Sequence, residues 1–412
     1  MNSRERILSA INHQEPDRLP VDLGATPSSG ISAVAYANFK QHLGIQHGST
    51  RVYDVVQQLA QPEDEILDRL RIDVLDIGRS FNEHDEDWRD FVLPQGIPVQ
   101  VPAWFKPVQQ SNGAWDAFDV EGTRLATMPS GAAFFDQTCF PYIDGYPDDF
   151  TDLDYWMGKV QWAGLAHSPW DHANEPDFWE QLRQRAIALR QSSDRAMVVV
   201  AGCNLFEWGT FLRRMDHFLM DLIDDRPNVE RLLDALLEKH LQTLEKVCKA
   251  VGDVADIIRF GDDLGTDQGP FMSPWLYRKL FKPRHTSLTE YIKNHSQMHI
   301  FLHSCGSIYR LLPDLIDAGY EVINPVQTNT RDMQPERLKR EFGQHLTFWG
   351  GGCDTRQILN RETPSQVKDD VRRNIETLAP GGGFVFNPIH NILPDVPPEN
   401  ITAMFEAVDE YR

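Results

Sequence analysis

The sequence HIFLHSCGS, residues 299–307, decides both the fold and the position of the site. Its first five residues form a short, mostly apolar run, and Ser304, Gly306 and Ser307 then supply turn-forming residues. A run of this length that ends in turn residues is typical of a buried β-strand. The next segment, Ser307 to Ala318, repeats apolar residues three and four positions apart, which predicts a helix. The stretch therefore predicts one strand, turn and helix unit.

The same unit recurs along the chain and predicts an α/β fold. Short apolar runs bounded by Gly, Asn or Asp alternate with segments of helical periodicity. A closed (β/α)₈ TIM barrel fits this count better than a doubly wound open sheet, because GATPSSG at 24–30 lacks a G-x-G-x-x-G turn. The eight predicted strands are Leu19–Gly24, Val74–Gly78, Met197–Cys203, Ile257–Gly261, His299–His303, Glu321–Asn324, Leu346–Gly350 and Phe384–Asn387.

A region near residues 80–150 departs from this rhythm. Trp88 to Val101 and Trp115 to Phe135 alternate apolar and polar residues around turn sequences such as SNG at 111–113, a pattern typical of antiparallel strands. We expect one barrel domain over residues 1–412 with this β-rich stretch inserted in it. The aromatic side chains of the insertion suit either a small satellite core or the surface of a homodimer.

The composition narrows the class of protein. Of 412 residues, 41% are hydrophobic and 25% are charged, and 61 acidic against 40 basic side chains give a net charge of −21. This charge repels phosphate backbones and anionic lipids, so we expect neither nucleic acid nor membrane as a partner. The charged, proline-containing N-terminus and the lack of any ~18-residue apolar run predict a cytoplasmic protein. Five widely spaced cysteines predict reduced thiols rather than a disulfide framework.

His303 and Cys305 are the candidate metal ligands. They stand two positions apart at a strand end, so their side chains point to the same side, on the face where barrels carry active sites. Imidazole and thiolate suit zinc, and a catalytic zinc has three protein ligands and one open position. His390, after the eighth strand, is the predicted third ligand, and Cys353, after the seventh, competes with it. Ordinary buried His and Cys side chains are the structural alternative.

Polar residues after two earlier strands are candidates for the same cavity. Asp262 and Asp263 end the fourth predicted strand, and paired carboxylates there suit an acid and base or the orientation of a ligand. We therefore predict them as catalytic residues, with helix capping as the alternative. Asn204 and Glu207 follow the third strand and are the predicted substrate-binding residues, although capping and packing explain them equally well.

These segments together resemble the uroporphyrinogen decarboxylase superfamily, which includes cobamide-dependent methyltransferases. The resemblance covers most of the chain, is thinnest in the insertion, and implies a single barrel with its cavity at the carboxyl ends of the strands. The segments that carry it are SRERILSAINHQEPDRLPVDLG at 3–24, GDDLGTDQGPFMSPWLYRKLFKPRH at 261–285, HSCGS at 303–307, WGGGCDTRQIL at 349–359 and GGGFVFNPIHNILPDVPPEN at 381–400.

Two branches of the superfamily differ in their motifs. The decarboxylases carry M-R-Q-A-G-R, with arginines for the substrate carboxylates, where this chain has DLGATPSSG at 22–30. The methyltransferases hold zinc with an H-x-C pair and a later cysteine in a P-G-C segment. His303 and Cys305 match the pair, and His390 stands in place of the later cysteine, although FNPIHN also resembles the decarboxylase pattern F-N-x-x-H-G. The resemblance is closest to the cobamide-dependent methyltransferase branch.

The resemblance implies a zinc-dependent methyltransferase that moves a methyl group between a corrinoid, as methylcobamide, and a thiol or another small acceptor or donor. A D-x-H-x-x-G corrinoid motif is missing, since MDHF at 215–218 lacks the glycine, so we expect the corrinoid on a separate protein. One alternative is a carboxy-lyase that acts without metal on a tetrapyrrole or a smaller acid. A second alternative is a non-catalytic barrel that binds a corrinoid or tetrapyrrole.

Overall fold

A parallel sheet of seven strands lies at the centre of the computed structural model, which describes residues 1–411. Each strand pairs with its predecessor in the chain, so the strand order along the sheet is sequential. Each also overlaps a strand that the sequence predicts. The strands are β1 (Val74–Asp76), β2 (Ala196–Gly202), β3 (Ile257–Gly261), β4 (His299–His303), β5 (Val322–Asn324), β6 (Thr347–Trp349) and β7 (Phe384–Val385).

The segment around Val21 joins the two edges of this sheet. Val21 forms a parallel bridge with Phe386, just beyond β7, and its carbonyl accepts a 2.9 Å hydrogen bond from the Asp73 N–H, just before β1. The fully buried Asp73 carboxylate accepts a hydrogen bond from Val21 N at 3.0 Å and pairs with Arg6 and Arg18, each at 2.7 Å. These bonds curl the sheet into a ring, consistent with a TIM barrel and with the first predicted strand.

Apolar side chains cover both faces of the sheet. Val198, Ile257 and Phe301 belong to a cluster inside the ring, whereas Met197 and Ile258 pack outward against the helices.

Within residues 1–411, no helix is both long and apolar enough to cross a membrane. The helices are Ser3–Ile11, Ala33–His42, Asp64–Arg69, Leu153–Gly158, Gln161–Gly164, Phe178–Ser192, Phe206–Arg213, Met215–Asp224, Arg226–Val251, Pro274–Leu280, Lys282–His295, Leu312–Asp317, Pro335–Phe342, Pro364–Leu378 and Pro398–Asp409, with single 3₁₀ turns at Ile77–Ser80, Asp85–Asp87, Trp170–His172 and Tyr309–Leu311.

Shorter antiparallel strands lie outside the ring. Between residues 88 and 137 they form one pair and one four-stranded sheet, and two smaller groups lie at 31–60 and 265–270. Turn glycines such as Gly113 and Gly122, both with positive φ, connect them. The strands are Ile31–Ser32, Val52–Asp54, Leu59–Ala60, Trp88–Val92, Pro98–Pro102, Val108–Gln109, Trp115–Phe118, Arg124–Met128, Asp136–Gln137, Gly265–Thr266 and Gly269–Pro270.

Candidate metal centre

The turn after β4 holds Cys305 beside the strand end. Ser304 N donates to the Asn324 carbonyl at 2.7 Å, and Gly306 N donates to Gln327 Oε1 at 2.7 Å. Gly306 has a φ of +84°, and a Cβ added there would lie 2.4 Å from the backbone of Gly265. Only glycine fits this turn, since both the positive φ and the close backbone exclude a side chain. The turn therefore fixes the direction of the cysteine that precedes it.

A hydrogen bond from His303 to Asn324 fixes the orientation of the His303 ring. The Asn324 Nδ2 donates to the Trp349 carbonyl at 3.0 Å, so its Oδ1 faces the His303 Nδ1, at 2.7 Å. An acceptor at that position places the ring proton on Nδ1 and leaves the lone pair on Nε2. This Nε2 lies 3.5 Å from the Cys305 Sγ. His303 thus presents a free nitrogen to the cysteine.

His390 completes a group of three potential ligands. Its ring lies edge-on to that of His303, with 5.5 Å between the ring centroids. The ligand atoms of His303, Cys305 and His390 all lie within 4.8 Å of one another. Cys353 is not in this group, because its side chain is fully buried and its thiol contacts Asp370. Of the two candidates for third ligand, the structure brings only His390 to the pair.

Burial controls the protonation of these three side chains. It lowers the pKa of His303 and that of His390 to about 3, so both imidazoles are neutral near neutral pH. Burial also raises the pKa of the Cys305 thiol well above its usual range, and the neighbouring Asp263 carboxylate raises it further. The two histidines therefore offer lone pairs, while the thiol releases a proton when it binds a cation.

The side chains of the two adjacent aspartates, Asp262 and Asp263, make contacts in different parts of the structure. Asp263 accepts a 2.8 Å hydrogen bond from Cys305 N, and its Oδ1 lies 3.6 Å from the His303 Nε2. Asp262 is fully buried and faces the other way, where it accepts hydrogen bonds from Phe206 N at 3.1 Å and Glu207 N at 2.9 Å. Of the pair predicted as catalytic, only Asp263 reaches the candidate ligands, and Asp262 caps a helix.

Asn204 and Glu207 lie at the same end of the barrel and contact each other. Asn204 Nδ2 donates to Glu207 Oε2 at 2.5 Å. Burial raises the pKa of Glu207 well above its usual range, and the charge of Asp263 raises it further. Glu207 and Asp263 share a poorly hydrated region, so the charge of each disfavours ionisation of the other.

Three further polar residues lie within or at the ends of the barrel strands, although the sequence reasoning did not select them. Asn324 ends β5 and orients His303. Asp76 ends β1, and burial raises its pKa to about 6. Arg259 interrupts the apolar run IIRFG in β3 and is 8% exposed. A charged residue inside a buried strand is the signal that could have identified Arg259, whereas Asn324 depends on a contact between strands that spacing does not reveal.

The residues of this group fit a zinc ion. Two neutral imidazoles and one cysteine are a ligand set that zinc accepts, and with three protein ligands one position stays open. The ligand atoms of a tetrahedral zinc lie about 3.5 Å apart, which the separation of His303 Nε2 and Cys305 Sγ matches. Asn324 supplies the second hydrogen bond that metal-binding histidines usually make. His390 is the third member of the set, with its ligand atom within 4.8 Å of the other two.

A comparison with protein-family models identifies the family of the chain independently of the site geometry. The model of the uroporphyrinogen decarboxylase family, URO-D, matches residues 206–411, which is half of the chain. The chain belongs to the uroporphyrinogen decarboxylase family. All three candidate ligands, as well as Asp262 and Asp263, lie in the matched half.

Curated relatives of this family member fall into both branches. The chain is 42% identical over 100 residues to a uroporphyrinogen decarboxylase of Methylococcus capsulatus, an alignment that covers 24% of this chain and 27% of that one. It is 26% identical over 157 residues to the Methylcobamide:CoM methyltransferase MtaA of Methanosarcina barkeri, covering 38% of this chain and 42% of that one. The chain thus spans about a quarter and under half of the lengths of these relatives.

A solved structure supports the fold along the whole chain. A methyltransferase from Methanosarcina mazei superposes with a TM-score of 0.58 and 17% sequence identity, over 100% of this chain and 99% of that one. At this identity the likeness concerns the fold alone. The fold therefore extends through the half of the chain that the family model does not match.

Proposed function

We propose that this family member is a zinc-dependent methyltransferase that moves a methyl group between a corrinoid and a thiol or another small acceptor or donor. The observation that carries the proposal is the convergence of His303, Cys305 and His390, with the His303 Nε2 freed by its bond to Asn324. The similarity to a Methylcobamide:CoM methyltransferase supports the same branch.

The chain's own residues have distinct roles in this reaction. A zinc ion, when bound, lowers the pKa of a substrate thiol and thereby favours the nucleophilic thiolate. His303 and Cys305 are held for this purpose by Asn324 and by the Asp263–Cys305 backbone bond. Asp263, whose pKa burial raises, takes the substrate proton at its Oδ2. Asn204 and Glu207 bind polar groups of the substrate.

The corrinoid is expected on a separate protein that docks over the mouth of the barrel. The chain lacks a D-x-H-x-x-G segment, since MDHF at 215–218 has no glycine in the required place. The carboxyl ends of the strands carry His303 and Cys305, so a partner at this face brings its methyl group to the substrate side of the site.

A carboxy-lyase is the second candidate function. Asp76 ends β1 on the same face of the strand as the inward-pointing Val74, and burial raises the pKa of its carboxyl group to about 6. A carboxyl group with that pKa exchanges protons readily near neutral pH, as proton transfer during decarboxylation requires. The match to a uroporphyrinogen decarboxylase supports this candidate.

A methyl-transfer assay tests the first function against the second. Zinc-loaded protein is mixed with methylcob(III)alamin and a series of small thiols, and the loss of methylcobalamin absorbance is followed. Cys305→Ala is expected to be slower than the wild type by about 100-fold, as for loss of a metal ligand or its support. The control Cys353→Ala removes a thiol outside the ligand group and is expected to retain activity. Metal-independent release of carbon dioxide from an acid, unchanged in Cys305→Ala, would instead favour the lyase.

A further inference from the structure

A cavity of about 150 Å³ lies outside the barrel, in the segment 142–156. This segment follows the antiparallel strands of the insertion and precedes β2 in the chain. The walls combine three carboxylates with two aromatic rings and a proline, and they contain no lysine, arginine or histidine. The lining residues are Tyr142, Pro147, Asp148, Asp149, Asp152 and Trp156. The cavity therefore presents negative charge and aromatic surface to whatever occupies it.

The cavity is separate from the candidate metal centre. Tyr142 N donates to the Leu212 carbonyl at 2.8 Å, and Arg213 Nη1 donates to the Tyr142 carbonyl at 2.9 Å. Both partners lie at the end of the helix Phe206–Arg213, whereas Glu207 lies in its first turn. The two ends of a helix of this length are about 12 Å apart. The helix thus carries the cavity at one end and polar residues of the barrel site at the other.

Two of the three carboxylates have no protein partner. Within residues 1–411, neither Asp148 nor Asp152 makes a side-chain hydrogen bond or an ion pair. Asp149 accepts bonds from the Thr151 hydroxyl, at 2.6 Å, and from the Thr151 N–H, at 3.0 Å, and these bonds lower its pKa. Arg231 donates to two carbonyl oxygens of the segment and leaves Asp148 and Asp152 unpaired. The negative charge of the cavity is therefore not balanced by the protein.

Tyr142 adds an enclosed hydroxyl without a partner. Its side chain is only 4% exposed, and its hydroxyl makes no hydrogen bond among residues 1–411. Burial, together with the charge of Asp152, raises the pKa of Tyr142 to about 12, so the hydroxyl stays protonated near neutral pH. Buried hydroxyl groups usually have a hydrogen-bond partner. The missing partner of a residue that lines the cavity indicates a ligand with a polar group.

The arrangement of the carboxylates does not suit a bare metal ion. Among residues 1–411, only His303, Cys305 and His390 bring three His, Cys, Asp or Glu ligand atoms within reach of one ion. The carboxylates of the cavity surround a larger space, and a cavity of about 150 Å³ holds a benzene-sized molecule. The half-buried ring of Trp156 offers a face that attracts a cation. These features favour an organic cation.

We propose that this cavity binds a small organic ammonium ion, a protonated or N-methylated amine. The carboxylates balance its charge, and the Trp156 ring contacts its methyl groups. The Tyr142 oxygen accepts a hydrogen bond where the ammonium carries an N–H. The net charge of −21 favours the approach of a cation from solution. No lining residue belongs to the candidate metal centre, so binding requires neither zinc nor methyl transfer.

Calorimetric titration with choline and 3,3-dimethylbutan-1-ol tests the charge requirement, because the two molecules share a shape and differ in one nitrogen. The wild type is expected to bind the neutral alcohol about 10-fold more weakly than choline. Asp152→Asn is expected to weaken choline binding by about 3-fold to 10-fold, and Trp156→Leu by about 5-fold to 30-fold. The control Asp144→Asn removes an exposed carboxylate of the same segment that does not line the cavity, and leaves the affinity unchanged.

Methylammonium and tetramethylammonium test the part of Tyr142. Tyr142→Phe is expected to weaken binding of methylammonium, which has N–H groups, by about 3-fold to 10-fold. It is expected to leave binding of tetramethylammonium, which has none, unchanged. Unchanged affinity for methylammonium in Tyr142→Phe would contradict the role of the hydroxyl.

Three results would overturn the proposal as a whole. The first is equal affinity of the wild type for choline and the neutral alcohol, or no binding of any ammonium ion at about 10 mM. The second is equal choline affinity in the wild type and in Asp152→Asn, an exposed position whose variant is expected to melt like the wild type. The third is stoichiometric binding of Ca²⁺ that is lost in Asp152→Asn, which would assign the cavity to a metal ion.

Discussion

Asn324 determines which nitrogen of His303 faces the other candidate ligands. Its amide is held by the Trp349 carbonyl, and its Oδ1 accepts hydrogen bonds from the His303 Nδ1 and from the Ser28 hydroxyl, at 2.7 and 3.1 Å. All these groups are buried, so water cannot replace a lost partner. The geometry of the metal centre thus depends on a residue that does not itself touch a metal.

Replacing Asn324 by alanine is expected to weaken zinc binding by about 10-fold to 100-fold, the usual effect of removing a partner of a metal-binding histidine. Asn324→Asp keeps an acceptor for the His303 Nδ1 and is expected to recover most of the affinity. Competition with a chromogenic chelator measures both. Asn228→Ala, which removes an amide bonded to Asp225, serves as the control. An Asn324→Ala protein with wild-type zinc affinity would rule out this role.

The candidate ligands could be predicted from the sequence because they directly follow predicted strands. His303, Cys305 and His390 follow strands of clear pattern, so their convergence could be predicted from the rule that barrel strands end on one face. Asn324 lies 21 residues from His303, and their contact requires the register of two parallel strands. Side-chain orientation of this kind is set by packing and not by spacing.

At the level of elements, Asp262 connects β3 to the helix Phe206–Arg213. Its carboxylate accepts two backbone N–H groups at the start of this helix and contacts His285 Nε2 at 3.1 Å. A carboxylate at a helix N-terminus satisfies donors that have no partner within the helix. The sequence favoured a catalytic role for Asp262, with capping as the alternative, and the contacts of Asp262 are those of a cap.

Asp262→Ala is therefore expected to lower the free energy of unfolding by about 3 kcal/mol, because three buried donors lose their acceptor. It is expected to leave the zinc content of the folded protein unchanged. Asp263→Ala is the matched comparison and is expected to reduce methyl transfer with a smaller loss of stability. Denaturant unfolding, zinc analysis and the methyl-transfer assay report these three quantities. A stable Asp262→Ala protein without zinc would reverse the assignment of the two aspartates.

The helix Arg226–Val251 supports the site through a buried histidine. His240 Nε2 donates to the Asn204 carbonyl at 2.8 Å, and burial lowers the pKa of His240 to about 4. The unfolded chain, where histidine has a pKa of about 6.5, binds the proton more readily than the folded one. The contribution of His240 to stability is thus complete above about pH 6.5 and is lost as the pH falls towards 4.

His240→Gln keeps a donor for Asn204 and removes this titration. From pH 7 to pH 5, the wild type is expected to lose about 2 kcal/mol more unfolding free energy than the variant. Urea unfolding of both proteins at the two pH values measures the difference, which cancels the contributions of other titrating groups. Parallel losses in the two proteins would show that His240 does not titrate in this range.

At the scale of the whole molecule, the sequence predicted the parallel sheet well and its closure less well. Strands β2, β3 and β4 were predictable because buried parallel strands are continuous apolar runs. Closure depends on a bridge at Val21 and on Asp73, whose ion pairs with Arg6 and Arg18 join distant parts of the chain. Pairing across such separations leaves no periodic signal, so it appears only in the folded chain.

The whole account depends on the three ligands acting together on one metal ion. His303 and Cys305 come from the turn after β4, and His390 from the segment after β7, so the site forms only in the closed fold. Loss of any one ligand leaves two, which is fewer than a stable zinc site requires. A metal measurement therefore tests the site and its geometry at once.

The most direct measurement is elemental analysis of wild-type protein purified from zinc-supplemented cells, beside Cys305→Ala, His390→Ala and the control Cys353→Ala. The account predicts close to one zinc per chain in the wild type and in Cys353→Ala, and little in the other two. Zinc that persists in His390→Ala but disappears in Cys353→Ala would give the third position to Cys353. A wild-type protein that transfers methyl groups at full rate without metal would contradict the central claim.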